Sequence, residues 1–172
     1  FGYAIEKIIK KISGKLRVVE NQVYNQTNNS ESLRLAVNNT NRTNILFFHG
    51  DLYFNDKVFS NLNYKKSFLL VDNKGMMKSK EIGVTIQNNK ATMLSYGLPT
   101  KWCQMAFITG RELKILKNIL YKLQGSQKKL LSFEIINKMI SMGANFECYE
   151  PKDMSIIEID CIKDLKNENF NF

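Results

Sequence analysis

Asn44-Ile45-Leu46-Phe47-Phe48-His49-Gly50-Asp51 is the stretch on which the reading of this chain turns. Its four consecutive apolar residues are far short of the roughly 18 that would cross a bilayer, and a glycine closes them. Such a run reads as a buried strand. Being apolar on both faces, it predicts a central strand of a parallel sheet. An aspartate just past the carboxyl end of such a strand stands where open α/β sheets bind ligands. A hard carboxylate beside a glycine that lets phosphate approach suits Mg²⁺. A plain turn aspartate explains the same letters.

Outward from this strand, extended and helical patterns alternate. Towards the amino terminus, Ile5, Ile8, Ile9 and Ile12 have helical spacing over residues 3–12, and Gly14 is placed to end that helix. Residues 16–19 predict a short strand, 21–29 a polar loop, and Ser30 an N-cap for a helix through Leu33, Leu35, Ala36 and Val37. Towards the carboxyl terminus come a short helix over 56–62, a strand over 67–71 and a turn at 72–75. Strands over 82–86 and 91–96 flank Gln87-Asn88-Asn89-Lys90 as an antiparallel hairpin. A strand over 101–109 ends at Gly110. Helices over 111–123 and 130–142 follow, then strands over 144–149 and 155–159 and a helix over 160–167. The alternation predicts one α/β domain spanning 1–172, a three-layer α/β/α arrangement around a mixed, mostly parallel sheet.

Composition narrows the function. The chain has 172 residues and a net charge of +9, which raises a nucleic-acid partner for consideration. Against it, arginine occurs only at Arg17, Arg34, Arg42 and Arg111, and the lysines are scattered. Arginine is the residue that forks onto phosphates and base edges. The reading is therefore a basic, solvated surface with no nucleic-acid and no membrane partner, still compatible with a small anionic substrate. Cys103, Cys148 and Cys161 are odd in number and lack metal-ligand spacing, which fits reduced thiols in the cytoplasm.

Two further islands carry chemistry. Thr27-Asn28-Asn29-Ser30-Glu31-Ser32-Leu33 runs from a loop into a helix, offering backbone N–H groups and short polar side chains to a base or phosphate. An Asn-rich loop with a capped helix is the plainer alternative. In Ser155-Ile156-Ile157-Glu158-Ile159-Asp160, strand alternation puts Glu158 and Asp160 on one face. Two carboxylates there are costly unless a cation meets them, although Asp160 could instead cap the helix after it.

Together these islands resemble the nucleotidyltransferases that activate sugars, phosphocholine and phosphonates. Phe1-Gly2-Tyr3 is similar to the Gly-Tyr that ends the second strand of those enzymes. Asn21-Gln22-Val23-Tyr24, Thr27-Asn28-Asn29 and Ser32-Leu33 resemble the Asn, Tyr, Asn and Ser-Leu pattern of bacterial phosphocholine and phosphonate cytidylyltransferases. Gly50-Asp51 falls where that family keeps its metal-binding aspartate. Glu158-Ile159-Asp160 with Asp164-Leu165 is similar to its closing Glu-Ile-Asp and Asp-Leu signature. The family also opens with a strand, a glycine-rich loop bearing a cation and a downstream Pro-Lys, and these 172 residues contain no counterpart of that phosphate-binding segment. The domain is therefore expected to be incomplete at its amino terminus.

The resemblance implies a nucleotide-diphospho-sugar-transferase-like fold and transfer of CMP from CTP, or NMP from another NTP, to a phosphorylated small molecule. Asp51 and Asp160 would hold Mg²⁺, with Glu158 beside them. Asn28, Asn29, Ser32 and Gly50 would face the nucleotide or incoming substrate. Lys101 would meet the acceptor's phosphate, and the Trp102 indole would pack on a quaternary amine, although an exposed lysine and a core tryptophan are the ordinary expectation for such residues. His49 reads as a packing residue. A homo-oligomer stays open. The rivals are a non-catalytic regulatory or assembly domain derived from a transferase, and a glycosyltransferase of similar sheet. Against the second, Asp51-Leu52-Tyr53 lacks a second aspartate one residue on.

Overall fold

The computed structural model describes residues 5–11, 14, 16–74, 80–161 and 164. The chain groups into two compact units, Phe1–Thr43 with Arg111–Ala144, and Asn44–Gly110 with Asn145–Phe172.

The second unit holds every described strand: β1 (Asn44–Phe48), β2 (Leu52–Phe54), β3 (Phe68–Asp72), β4 (Ile82–Gln87), β5 (Lys90–Tyr96), β6 (Thr100–Thr109), β7 (Glu147–Tyr149) and β8 (Ile156–Glu158). Six form one sheet in the order β1-β6-β3-β7-β5-β4, while β2 and β8 make a separate antiparallel pair. Phe68, Leu69, Leu70 and Val71 of β3 are all buried, so β3 and its neighbour β6 form the hydrophobic spine. On one face Phe68 and Leu70 meet Met105 and Phe107, and Val58, Leu52, Phe54 and Ile156 pack over them.

The sheet is mixed, as the alternation predicts, but it is not mostly parallel. Among the described residues only the β3–β7 pairing is parallel; β1–β6, β3–β6, β4–β5, β4–β6 and β5–β7 are antiparallel. Following these pairings, β1, β3, β4 and β7 point one way and β5 and β6 the other. The minority strands stand between majority ones and turn most contacts antiparallel. Nor is β1 central: among the described residues it pairs only with β6, at the sheet's edge. Apolarity on both faces reports burial, which β1 partly has, and carries no information on strand direction.

The hairpin falls where expected. Asn88 and Asn89, with φ of 50° and 60°, form the two-residue turn between β4 and β5, a left-handed pair that asparagine tolerates well. Gly83 in β4 is obligatory, because a Cβ there would stand 2.3 Å from the Leu98 carbonyl oxygen. The expected helix over 56–62 is a single 3₁₀ turn, Asp56–Phe59.

The first unit carries the helices α1 (Ile5–Ile9), α2 (Asn29–Asn38), α3 (Gly110–Tyr121) and α4 (Ser132–Ser141), with a 3₁₀ turn at Gly125–Lys129. Residues 16–19 belong to no ladder among the described residues, so the strand expected there is not formed. The cap of α2 also differs from expectation. Asn28, extended at φ −127°, accepts the Asn29 N–H on its side chain, whereas Ser30 lies inside the first turn, buried, donating its hydroxyl to the Lys128 carbonyl. Of the helix expected over 160–167, all but residues 160, 161 and 164 lies outside the described residues. No helix among the described residues is long and apolar enough to cross a membrane.

Candidate active site

β1 ends at Phe48, and the chain turns through His49-Gly50-Asp51 into β2. β2 pairs antiparallel with β8, Leu52 opposite Glu158, and the Ile159 N–H extends that ladder to the Asp51 carbonyl at 2.8 Å. This short ladder is what brings together residues more than a hundred positions apart. One carboxylate oxygen from each of Asp51, Glu158 and Asp160 lies within 4.8 Å of the others. Asp51 and Asp160 are exposed and Glu158 is half-buried.

Asp164 Oδ2 accepts the N–H groups of Asp160 (2.9 Å) and Cys161 (2.8 Å), which fixes the backbone beside the cluster. Gly50 has nothing within 4 Å of where a Cβ would sit, so the turn is open on that side.

Three carboxylates gathered this closely repel one another, by about 1 kcal/mol per pair at 4 Å even in water. An all-oxygen donor set suits a hard divalent ion. With Mg–O distances of about 2.1 Å, oxygens on opposite sides of the ion stand about 4.2 Å apart. The cluster, with its oxygens within 4.8 Å of one another, is close to that span and could close on such an ion with small side-chain rotations.

His49 adjoins the cluster. Its ring meets Phe47 edge-on at 5.7 Å and Trp102 at 5.8 Å. Burial pushes its pKa down, opposed by the charges of Asp51 and Glu158 and by a hydrogen bond with the Gln104 side chain. The ring packs between Phe47 and Trp102.

The first unit places the other expected residues in a polar knot. Asn21, 2% exposed, is its hub: its side-chain NH₂ donates to the hydroxyls of Thr27 (3.1 Å) and Ser32 (3.2 Å), and its Oδ1 accepts the Val23 N–H. Asn28 caps α2 and gives its own N–H to the Lys128 carbonyl. The Asn29 NH₂ reaches the Ser132 hydroxyl at 3.5 Å. Asn28, Asn29 and Ser32 thus hold the 21–32 turn in shape.

Solved structures share this architecture. The inositol-1-phosphate CTP transferase from T. maritima superposes with a TM-score of 0.71 at 16% identity, over 95% of this chain and 69% of that one. The CTP:phosphocholine cytidylyltransferase from Streptococcus pneumoniae gives 0.68 at 18% identity, over 95% and 71%. HddC from Yersinia pseudotuberculosis gives 0.64 at 12%, over 96% and 73%. The chain shares the fold of these solved structures. No family model matches the chain, and no curated protein matches it in sequence. The match spans 69–73% of the length of those three chains.

One expectation at β6 needs correcting. Trp102 is 1% exposed, and its Nε1 donates to the Met105 carbonyl at 3.1 Å. It is a core residue, offering no face for a quaternary amine. Lys101, beside it in β6, pairs with the largely buried Glu81. Both follow from β6 being the buried spine. Two residues, one in each unit, went unread. Asn21 entered the reading only as part of a motif. Gln104 stood out in no way beyond being a lone polar side chain in the otherwise apolar run Trp102–Ile108.

Proposed function

We propose that this chain belongs to an enzyme that transfers a nucleoside monophosphate, CMP in the reading favoured here, from the NTP to a phosphorylated small molecule, releasing pyrophosphate. Acceptors of the kind intended are phosphocholine, a phosphonate or a sugar phosphate. An oxygen of the acceptor's phosphate attacks the α-phosphorus of the nucleotide. The bond from that phosphorus to the bridging oxygen breaks, and its electron pair leaves on pyrophosphate. Nucleophile and leaving group are both already ionised at neutral pH, so the protein's task is to position the reactants and offset charge.

The convergence of Asp51, Glu158 and Asp160 supports this reading. Asp51 and Asp160 would hold Mg²⁺, with Glu158 as the third carboxylate; the ion would neutralise charge on the α-phosphate oxygens. Gly50 leaves room for the phosphate beside Asp51. His49 would pack the turn, its ring against Phe47 and Trp102, and is assigned no part as a base. Asn28, Asn29 and Ser32 shape a loop that would face the base. One domain, in the cytoplasm, is the setting this reading assumes.

The test is pyrophosphate release from each of the four NTPs with phosphocholine, a phosphonate and sugar phosphates in turn, using this chain with whatever flanking sequence its gene encodes. CTP with one of these acceptors should support turnover that Asp51→Ala and Asp160→Ala abolish. Turnover indifferent to both substitutions would end the assignment.

A further inference from the structure

Gln104 has φ of +56° in the middle of β6, a left-handed backbone that a residue with a side chain adopts only at a cost. The strand is distorted there. Leu69 of β3 faces Ala106, and Val71 faces Trp102, so the single residue Leu70 spans Cys103, Gln104 and Met105. Bulges of this kind re-aim a side chain and concentrate beside functional sites. What this one aims at is visible on its other edge. The β1–β6 ladder ends at Phe48 opposite Met105, and the next residue, His49, is held twice by Gln104. The His49 N–H donates to the Gln104 carbonyl at 3.3 Å, and the imidazole hydrogen-bonds the Gln104 side chain. Trp102, two residues before Gln104, closes on the same ring from the side. His49 is two residues before Asp51, with only Gly50 between them. The Ile159 N–H holds Asp51 from the β8 side, and the grip on His49 fixes the chain on its other side, across Gly50.

We propose that Gln104 is a positioning residue, which clamps His49 from a strained bulge and thereby sets Asp51 in register with Glu158 and Asp160. This rests on the reading of those three carboxylates as a divalent-cation site. It differs from a purely structural role in one respect. A glycine at position 104 removes the strain and the side-chain clamp together, so stability and site geometry should move in opposite directions.

The test is a Mn²⁺ titration of the full chain by electron paramagnetic resonance, alongside thermal melts in metal-free buffer. Gln104→Gly is expected to bind Mn²⁺ about 10-fold more weakly, the lower end of what displaced outer-shell partners cost a metal site. Its metal-free Tm should be unchanged or about 2–4 °C higher. Gln104→Asn, which tolerates the left-handed backbone and keeps an amide, should recover most of the affinity. His49→Phe should reproduce the loss, and the double variant with Gln104→Gly should lose no more than either alone. Wild-type affinity in Gln104→Gly, or losses that add in the double variant, would overturn the proposal. Asp51→Ala keeps the two readings apart. If it too binds as wild type, the carboxylate site itself fails and this inference with it. If it loses binding while Gln104→Gly keeps it, only the clamp fails.

Discussion

The two polar concentrations in this molecule are built in opposite ways. Around Asn21 and α2, polar side chains are spent on one another. Asn21 bonds Thr27, Ser32 and the Val23 N–H, and the buried Glu31 is forked by Arg34 at 2.6 and 2.7 Å and approached by Lys128 at 3.4 Å. Around the β2–β8 pair, three side chains of the same sign are held within 4.8 Å, and among the described residues no lysine or arginine forms an ion pair with them. Buried polar groups that satisfy each other stabilise the fold. Like charges held together by a backbone ladder oppose it, and under the proposed function a bound cation would relieve that repulsion. Polarity alone therefore does not mark a site; what the polar groups are bonded to does.

That contrast breaks first, and with the largest effect, if the carboxylates prove dispensable. Asp51→Asn and Asp160→Asn keep shape and remove charge. Each should lower the rate of pyrophosphate release by about 10²–10³-fold, the scale on which a single group stabilising charge in a transition state acts, while CD spectra and melting temperature hold. Unchanged rates would make the cluster an accident of the surface. In the knot the pattern reverses. Asn21→Ala removes three hydrogen bonds from a buried hub, at about 1 kcal/mol each. It should therefore cost about 2–3 kcal/mol in urea unfolding and lower the Tm by roughly 5–10 °C. A loss below about 0.5 kcal/mol would show that the knot is not what holds this turn.

The sequence told these regions apart only in part, for identifiable reasons. Asp51 and Asp160 stood out in the sequence because each follows a strand-like run, and the resemblance implied a common purpose for them. Their convergence was not legible. It depends on β2, a three-residue strand that periodicity cannot register, pairing with β8. Asn28, Asn29 and Ser32 looked like ligand-facing groups because amides and hydroxyls at a helix start serve a ligand or a cap equally well. The Asn88-Asn89 hairpin was local and was read correctly. Strand direction was not local: β6 enters beside β1 after more than fifty intervening residues, and nothing in the letters of β1 records it. The bulge at Gln104 left no trace, since the apolar residues on both sides fit an unbroken strand.

A smaller effect sharpens the comparison through pH. The Arg34 guanidinium, forking Glu31, holds that carboxyl below its ordinary 4.5 despite burial, with Lys128 adding to the pull. A depressed carboxylate contributes stability that is complete above its unfolded value and is lost as pH falls through the folded one. The unfolding free energy should therefore decline below about pH 4.5 in wild type and decline less steeply in Glu31→Gln. At neutral pH that variant should already be about 2 kcal/mol less stable, the scale of hydrogen bonds to a charged group. Parallel acid profiles in the two proteins would show that the ion pair contributes nothing.

The smallest expected effect discriminates best, because the two regions should differ in its sign. In metal-free buffer at low ionic strength, Asp51→Asn removes one of three mutually repelling charges, and stability should rise by up to about 1 kcal/mol. In 1 M salt, where screening acts over about 3 Å, the gain should vanish. With Mn²⁺ at 100 times its dissociation constant, wild type should gain about 2.7 kcal/mol and the variant much less, so their order reverses. Neutralising Glu31 produces no such reversal, because its counter-charges belong to the chain. A destabilised Asp51→Asn without metal would place that carboxylate among the groups spent on holding the fold, and the distinction between the two regions would fail at the residue on which it most depends.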